Sequence, residues 1–374
     1  MESSKTIVID NGSGFVKAGF VGEDGPSVVL RNLVGRPKNQ NAIIGVEAKD
    51  EFIGEDAYLK RGVLKFSYPV QHGIIKDWDD MEKVWNHLFS YELKVDSSEH
   101  PFLISESPLT PEFIREQTVQ MMFETFNVPS LYMAISAALQ LHSIGKTTGI
   151  VCDIGDSATH AVPVKDGFVI PDTSSRIQLA GKDLTSFMAK VLRERGYNFT
   201  SSDELQIVSD MKEKICFVAL DYVETLKTSQ EGSTYEKSYE LPDGKIVSVG
   251  DARFKCPEYL FQPQINGKEM DSIQTITYNS IEKCEADLRN DLYQNIVLSG
   301  GSSMFEGFSE RLQKEIETLA PKGTEVKVIA TPDGKLSAWR GGQAFASLST
   351  FSDVCITKEE YDEFGQEIVH RKFI

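Results

Sequence analysis

Asp10 and its neighbours combine residue types that suit phosphate chemistry. Asp10 follows the apolar run 7–9 and precedes the turn Gly12-Ser13-Gly14, after which the chain is extended again and carries Lys17. A carboxylate at the end of a buried strand is costly unless a cation meets it. A glycine turn leaves backbone N–H groups available for an anion-binding concavity. An aspartate, a group of amides and a lysine together suit a Mg²⁺-bound phosphate.

A second segment repeats this plan. Residues 150–162 contain a strand pattern, Asp153, a turn at Gly155 and another strand pattern, and residues 296–304 run from a strand into Gly300-Gly301. A single Gly-Ser-Gly turn is usually an ordinary hairpin, but the repeat with an aspartate at both strand ends favours phosphate binding. The sequence therefore predicts a duplicated α/β unit that binds a nucleotide.

The elements that must position these residues follow from periodicity and from turn signals. The pattern predicts strands over 102–106 and 326–329 and a loop over 255–267. It predicts helices over 77–85, 111–126, 130–144, 181–194, 201–218, 270–292 and 307–319. Two further helices are predicted to begin at 337 and at 359. The helix over 130–144 leads directly into the second aspartate hairpin, so we expect it to link the two halves.

Composition limits the class of protein. The 374 residues suffice for two domains, and a net charge of −17, from 39 basic and 56 acidic residues, argues against broad nucleic-acid binding. No apolar run approaches the roughly 18 residues of a membrane span, and no amino-terminal signal peptide is visible. Five cysteines without paired spacing indicate reduced thiols in a cytosolic compartment, with Cys152, Cys216 and Cys284 in the core.

The segment 42–46 is apolar between polar flanks. It is either one strand of a small sheet or an exposed loop that docks on a partner, because exposed apolar patches mark interaction sites.

These motifs make the chain resemble the actins and actin-related proteins from end to end. The matching segments are 9–14, 35–37, 60–64, 72–74, 147–150, 212–214, 253–254, 298–302 and 368–372. Sugar kinases and heat-shock chaperones of the same superfamily share only the hairpin plan.

The resemblance implies an α/β, duplicated actin-like ATPase fold with two large halves, or four subdomains, around a nucleotide cleft. The implied boundaries are 1–31, 69–143 and 337–374 for subdomain 1; 32–68 for subdomain 2, with a docking loop at 39–49; 144–179 and 269–336 for subdomain 3; and 180–268 for subdomain 4.

The resemblance also implies the site. Asp10 and Asp153 would orient water around Mg²⁺, with Ca²⁺ as a possible substitute, while Ser136 and His160 occupy the positions that contact the attacking water. The residues that would hold ATP or ADP are Gly12, Ser13, Gly14, Lys17, Gly155, Asp156, Ser157, Ala158, Gly181, Lys212, Glu213, Gly300, Gly301, Ser302, Met304, Phe305 and Lys335. By pattern alone, Lys212 and Lys335 are typical of solvated lysines.

One departure bears on catalysis. Actins normally carry a glutamine on the linking helix, in Ala-Ile-Gln-Ala, that positions the attacking water, and here the segment is Ala134-Ile135-Ser136-Ala137. Serine is shorter and lacks the amide. Because water positioning is a large part of phosphoryl transfer, we predict slow hydrolysis with ATP binding retained. His160 could keep part of the role, and a second substitution could compensate.

Other departures bear on assembly and on partners. The segment at the position of the family's inter-strand plug is Gln264-Ile265-Asn266-Gly267-Lys268. It is more polar than is usual in actins, which predicts weaker lateral contacts in a filament. Arg340, Cys355 and Phe373 differ from the family near the region where actin-binding proteins dock, so docking between subdomains 1 and 3 is expected to be altered.

Two functions stay open from the sequence. The first is a cytoplasmic, filament-forming cytoskeletal actin that polymerises with itself and hydrolyses ATP. The second is an actin-related protein that binds ATP as a structural subunit of a complex and does not polymerise. A sugar kinase is a distant third, since no added sugar-binding segment is evident. Neither nucleic acid nor membrane insertion is expected.

Overall fold

The computed structural model describes residues 5–38, 49–331 and 333–373. The chain divides into two compact units: unit 1 is Met1–Thr147, Val164–Val169 and Lys335–Ile374, and unit 2 is Thr148–Pro163 and Ile170–Gly334. The predicted docking segment 42–46 lies outside the described residues, and the finer division into four subdomains stays a prediction.

Among the described residues, the strands are, in chain order, β1 (Ile7–Asn11), β2 (Phe15–Phe20), β3 (Val28–Arg31), β4 (Val34–Pro37), β5 (Phe52–Ile53), β6 (Leu64–Ser67), β7 (Val70–Gln71), β8 (Ile74–Ile75), β9 (Phe102–Glu106), β10 (Ser130–Ile135), β11 (Gly149–Ile154), β12 (Thr159–Lys165), β13 (Phe168–Val169), β14 (Ser175–Ile177), β15 (Ser238–Glu240), β16 (Ile246–Ser248), β17 (Ile296–Ser299), β18 (Val328–Ala330) and β19 (Ile356–Thr357).

The α-helices of the same residues are α1 (Gly54–Leu59), α2 (Trp78–His87), α3 (Glu112–Gln120), α4 (Ser136–His142), α5 (Gly181–Glu194), α6 (Ser202–Ile215), α7 (Tyr222–Glu231), α8 (Ala252–Phe261), α9 (Ile273–Glu282), α10 (Ala286–Tyr293), α11 (Phe308–Leu319), α12 (Ser337–Ala346), α13 (Phe351–Val354), α14 (Lys358–Phe364) and α15 (Val369–Lys372). Short 3₁₀ turns include Pro263–Asn266, Gly301–Met304 and Gly334–Leu336.

The main sheet of unit 1 places the first aspartate strand centrally. Its strand order is β19-β10-β9-β1-β2-β3. β1 is antiparallel to β2 and parallel to β9, which is parallel to β10. This register aligns Asp10 with Ser105 and Ser105 with Ala134. Ile7, Val8 and Ile9 are buried on both faces of the sheet, as their continuous apolar run predicts.

The main sheet of unit 2 repeats that arrangement around the second aspartate strand. Its order is β13-β12-β11-β17-β18, with β14 also paired to β12. β11 is parallel to β17, which is parallel to β18, and Asp153 is aligned with Ser299. In each sheet, therefore, an aspartate strand has a hairpin partner on one side and two parallel strands on the other. The predicted α/β class and the duplication are both confirmed.

Three sequence predictions of elements are wrong. The helix predicted over 270–292 is two helices, α9 and α10, separated at residues 283–285. Residues 130–135 form β10 rather than the start of a helix, because they pair in parallel with β9 in the buried sheet. Residues 252–261 form α8 rather than a loop, although Pro257 lies inside it. Proline cannot donate to the carbonyl four residues earlier, and that carbonyl, on Arg253, accepts instead from the Phe217 N–H at 3.2 Å.

The cores include free cysteines and the buried ion pair of Arg311 with Glu258. Cys152, Cys216 and Cys284 are buried free thiols, as predicted, and so are Cys256 and Cys355. In unit 2, Arg311 of α11 binds Glu258 of α8 through two contacts of 2.9 Å, with Glu258 fully buried.

No helix of the described residues is long and apolar enough to cross a bilayer.

Candidate functional site

The unit 1 hairpin holds Asp10 between a cation and a hydroxyl. Asp10 faces Lys17 across β1 and β2, and Lys17 Nζ lies 2.6 Å from Asp10 Oδ2. The Ser105 hydroxyl at the end of β9 donates to Asp10 Oδ1 at 2.9 Å. The carboxylate therefore has the cationic partner that the sequence led us to expect, and it is fixed by the neighbouring parallel strand.

The turn between β1 and β2 is held from within and from outside. The Gly12 N–H donates to the Phe15 carbonyl at 3.1 Å, and a Cβ at Gly12 would lie only 2.8 Å from that oxygen. From outside, the Asn32 side-chain amide donates to the Gly12 carbonyl at 2.9 Å, and the Gly73 N–H donates to Ser13 Oγ at 2.8 Å. The backbone of this turn is thus fixed by the chain's own hydrogen bonds.

The unit 2 hairpin has the same turn. The Gly155 N–H donates to the Ala158 carbonyl at 3.1 Å, which matches the bond from Gly12 to Phe15. The turn also meets the start of α5, where the Gly181 N–H donates to the Gly155 carbonyl at 3.1 Å and Lys182 Nζ lies 3.0 Å from Asp156 Oδ2.

The double glycine after β17 approaches the same turn. Ser302 Oγ donates to the Gly155 carbonyl at 3.3 Å. Gly300 has φ 84°, and a Cβ there would collide with the carbonyl of Ile154 and lie 2.7 Å from Asp153 Oδ1. Only glycine fits so close to the aspartate in this conformation. The structure therefore brings the predicted residues 153–158, 181 and 300–302 together within unit 2.

Lys212 is buried, which corrects its pattern-based interpretation as a solvated lysine. It is 5% exposed, and its Nζ donates to the Gly181 carbonyl at 2.9 Å and to Thr185 Oγ1 at 3.0 Å. Glu213, its neighbour, is exposed and accepts from Ser209 at 3.2 Å. The Lys212 ammonium therefore helps to fix the start of α5 beside the hairpin.

The remaining residues assigned to adenosine differ in exposure and location. Met304 is 43% exposed, whereas Phe305 packs against the core of unit 2. Lys335 is exposed and belongs to unit 1.

His160 is a buried, neutral imidazole on β12. It lies opposite Arg176 in the pairing of β12 with β14. Burial, helped by the charge of Arg176, lowers the pKa of His160 to about 3. Its Nε2 is buried without a hydrogen-bond partner among the described residues. A neutral ring can donate or accept through that nitrogen, so it can orient a water molecule.

Ser136 opens α4 directly after β10, and it is 9% exposed. One turn later, Gln140 is 3% exposed, and its Oε1 has no hydrogen-bond partner in the described part of the chain. Sequence reasoning missed Gln140, although the spacing of four residues places it on the helix face of Ser136.

Ser105 and Asn32 were also missed. A signal for Ser105 was available, because the carboxyl ends of parallel strands meet at one edge of a sheet. No local pattern marks Asn32, whose role depends on a contact with a turn twenty residues away.

The first strand of each hairpin carries a single aspartate, which suits a cation that keeps its own water shell. No group of three or more histidine, cysteine, aspartate or glutamate side chains converges on a metal position among residues 5–38, 49–331 and 333–373. Asp10 and Asp153, at the ends of β1 and β11, each offer carboxylate oxygens at a strand edge. Mg²⁺ retains several waters and takes few protein ligands, which fits single aspartates acting through water.

The whole chain, and not only the site, matches a known protein family. The model of one protein family, described as Actin, matches residues 1–374. The match agrees with the resemblance carried by the hairpin and tail motifs.

Proposed function

Because the chain belongs to the actin family, we propose that it is a cytoplasmic, filament-forming cytoskeletal ATPase that assembles with ATP bound. The family has an ATPase fold and generally binds nucleotide and divalent cations. The observation that carries the nucleotide-binding part of the proposal is the repeated turn: Gly12 to Phe15 in unit 1 and Gly155 to Ala158 in unit 2 make the same 3.1 Å bond beside an aspartate strand.

The proposal assigns ATP phosphates to both hairpins. Ser13, Gly14 and Lys17 bind them from unit 1, and residues 155–158 bind them from unit 2. Residues 181, 212–213, 300–302, 304–305 and 335 hold the adenosine. The close approach of Gly300 to Asp153 and the buried bonds of Lys212 support these assignments.

Asp10 and Asp153 would hold the water shell of Mg²⁺, or of Ca²⁺ in its place. When bound, the cation neutralises phosphate charge. The protein's part is to keep both carboxylates in position, and for Asp10 this is done by Lys17 and Ser105.

His160 orients water in this proposal, since its low pKa keeps it neutral and its buried Nε2 has no partner in the described chain. Ser136 cannot supply the amide that the family uses, so hydrolysis is slower than is usual for actins. ATP binding, which rests on the hairpins, is retained.

In the proposed filament the chain binds other copies of itself. Actin-binding proteins are its second class of partner, with altered docking near Arg340, Cys355 and Phe373.

One observation favours the alternative of a non-polymerising subunit of a complex. The polar plug is tied to the chain's own α5, because Lys190 donates to Asn266 at 2.8 Å and Lys268 Nζ lies 3.4 Å from Asp183. Because these side chains already bind α5, fewer polar groups of the plug remain to contact another subunit.

The variant Asp153→Ala tests the nucleotide chemistry. We expect phosphate release to fall at least tenfold, because the cation's water shell loses an acceptor, whereas ATP affinity falls less. Single-turnover phosphate release and titration with a fluorescent ATP analogue measure the two effects. Asp243→Ala, which removes an exposed turn carboxylate of unit 2, is the control. Unchanged phosphate release in Asp153→Ala would overturn the assignment.

A further inference from the structure

Gln140 carries a buried polar atom that has no hydrogen-bond partner in the described part of the chain. The side chain is 3% exposed, and Oε1 has no hydrogen-bond partner among the described residues. A buried carbonyl oxygen without a partner is destabilising, and native structures satisfy such groups with protein atoms or with ordered water. A water molecule is therefore the expected partner of Gln140 Oε1.

The direction of the Gln140 side chain follows from helix geometry. In an α-helix each Cα–Cβ bond tilts toward the amino terminus, so a side chain covers the turn that precedes it. One turn rises about 5.4 Å, which an extended glutamine side chain spans. Ser136 lies one turn before Gln140 on the same face and is short. Gln140 can therefore reach back over Ser136 into space that a longer side chain at 136 would fill.

That end of α4 lies at the same sheet edge as the aspartate hairpin of unit 1. The register aligns Asp10, Ser105 and Ala134 across β1, β9 and β10. With neighbouring strands about 4.8 Å apart, Ala134 lies about two strand spacings from Asp10. Ser136 follows two residues later, where α4 begins. Ligands of such sheets bind outside the carboxyl ends of the strands.

We propose that Gln140 is the positioning residue for the attacking water of ATP hydrolysis, in place of a glutamine at position 136, and that it sustains the slow hydrolysis expected with Ser136. The inference rests on the proposed ATPase function. Oε1 of Gln140 accepts a hydrogen bond from the water and so points the water's lone pair at the γ-phosphorus. Amide carbonyls suit this task because they accept from water without taking its proton.

The step balances as an ordinary hydrolysis. The water oxygen forms a bond to the γ-phosphorus, and the bond from that phosphorus to the β–γ bridging oxygen breaks, with its electron pair leaving on ADP. One proton of the water stays on the released phosphate, and the other passes to solvent. Gln140 neither gains nor loses a proton.

The experiment compares single-turnover phosphate release from purified full-length protein in Mg²⁺-ATP. We expect Gln140→Leu to lower the rate constant at least tenfold, while the affinity for ATP stays within about twofold. Gln140→Asn keeps the amide but is one methylene shorter, so it is expected to lower the rate as well. Adding Ser136→Gln to Gln140→Leu is expected to restore release to within about threefold of wild type, because the longer side chain returns an amide to the same space.

Gln274→Leu is the matched control. Gln274 is a half-buried glutamine of unit 2 whose Oε1 also lacks a partner in the described chain, and its amide donates to the Phe261 carbonyl at 2.9 Å. Its loss is expected to leave phosphate release unchanged. Thermal unfolding of every variant shows whether a slow rate comes from a damaged fold.

The possible outcomes distinguish the role of Gln140 from the proposed ATPase function. Slow release with normal ATP affinity and rescue by Ser136→Gln supports the role of Gln140. Release at the wild-type rate in Gln140→Leu overturns that role and leaves the ATPase in place, as does slow release that Ser136→Gln does not rescue. Wild-type protein that binds ATP without releasing phosphate overturns both.

Discussion

Gly300 provides the sharpest residue-scale test of the site geometry. Its φ of 84° and its approach to the Ile154 carbonyl leave no room for a Cβ. We expect Gly300→Ala to lower the free energy of unfolding by at least about 2 kcal/mol, from backbone strain and overpacking. ATP affinity should fall with it, because Asp153 must move.

Gly301→Ala is the neighbouring control for that variant. Gly301 has no atom within 4 Å of its Cβ position, and its φ lies outside the left-handed region. Its replacement should change the free energy of unfolding by less than about 1 kcal/mol. Thermal unfolding without added nucleotide at one scan rate compares the two, and equal midpoints would contradict the geometry described for Gly300.

Individual residues also show where reasoning from sequence stops. The aspartates and the glycine turns could be found because their types and spacing are local and repeated. The burial of Lys212 could not, since its partners, the Gly181 carbonyl and Thr185, lie about thirty residues away in the chain. The short Ser136 was visible, whereas the unsatisfied oxygen of Gln140 appears only when the packing of α4 is known.

At the scale of elements, the ion pair between α8 and α11 is expected to govern the stability of unit 2. Arg311→Met leaves the fully buried Glu258 without its cation, which should cost about 3–5 kcal/mol of unfolding free energy. Replacing Glu258 by Leu in the same chain should recover most of that loss, because no buried charge remains.

The exposed pair of Lys245 with Asp243 is the control for this element. The two side chains are 79% and 52% exposed and lie 2.8 Å apart. Exposed pairs contribute about 0–1 kcal/mol, so Lys245→Met should barely change the unfolding midpoint. Equal losses in Lys245→Met and Arg311→Met would show that burial does not set the strength of the Arg311 pair.

Elements were predictable where local signals and tertiary packing agree. The helix over 181–194 has the predicted bounds, and the helix predicted from 307 begins at Phe308. The predictions were wrong where packing decides. Residues 130–135 form a strand because they pair with β9. Helix α8 tolerates Pro257 because the Phe217 N–H donates to the Arg253 carbonyl, which proline leaves without its helical donor.

At the scale of the whole molecule, duplication was the most informative signal in the sequence. It indicated that the plan around Asp10 would recur around Asp153, and the two sheets carry that plan with Ser105 and Ser299 in equivalent register. Assembly depends on surfaces rather than on this internal repeat. For that reason the polar plug and the substitutions near the tail could be noted from sequence, but their effect on a filament could not be derived.

The most direct test of the proposed function is sedimentation of the purified protein in Mg²⁺-ATP, with phosphate release followed in the same tube. We expect polymer in the pellet and slow phosphate release that accompanies assembly. Rapid release with polymer would keep the filament but contradict the effect assigned to Ser136. Protein that binds ATP yet stays in the supernatant at every concentration and salt would contradict the filament and favour a fixed subunit of a complex.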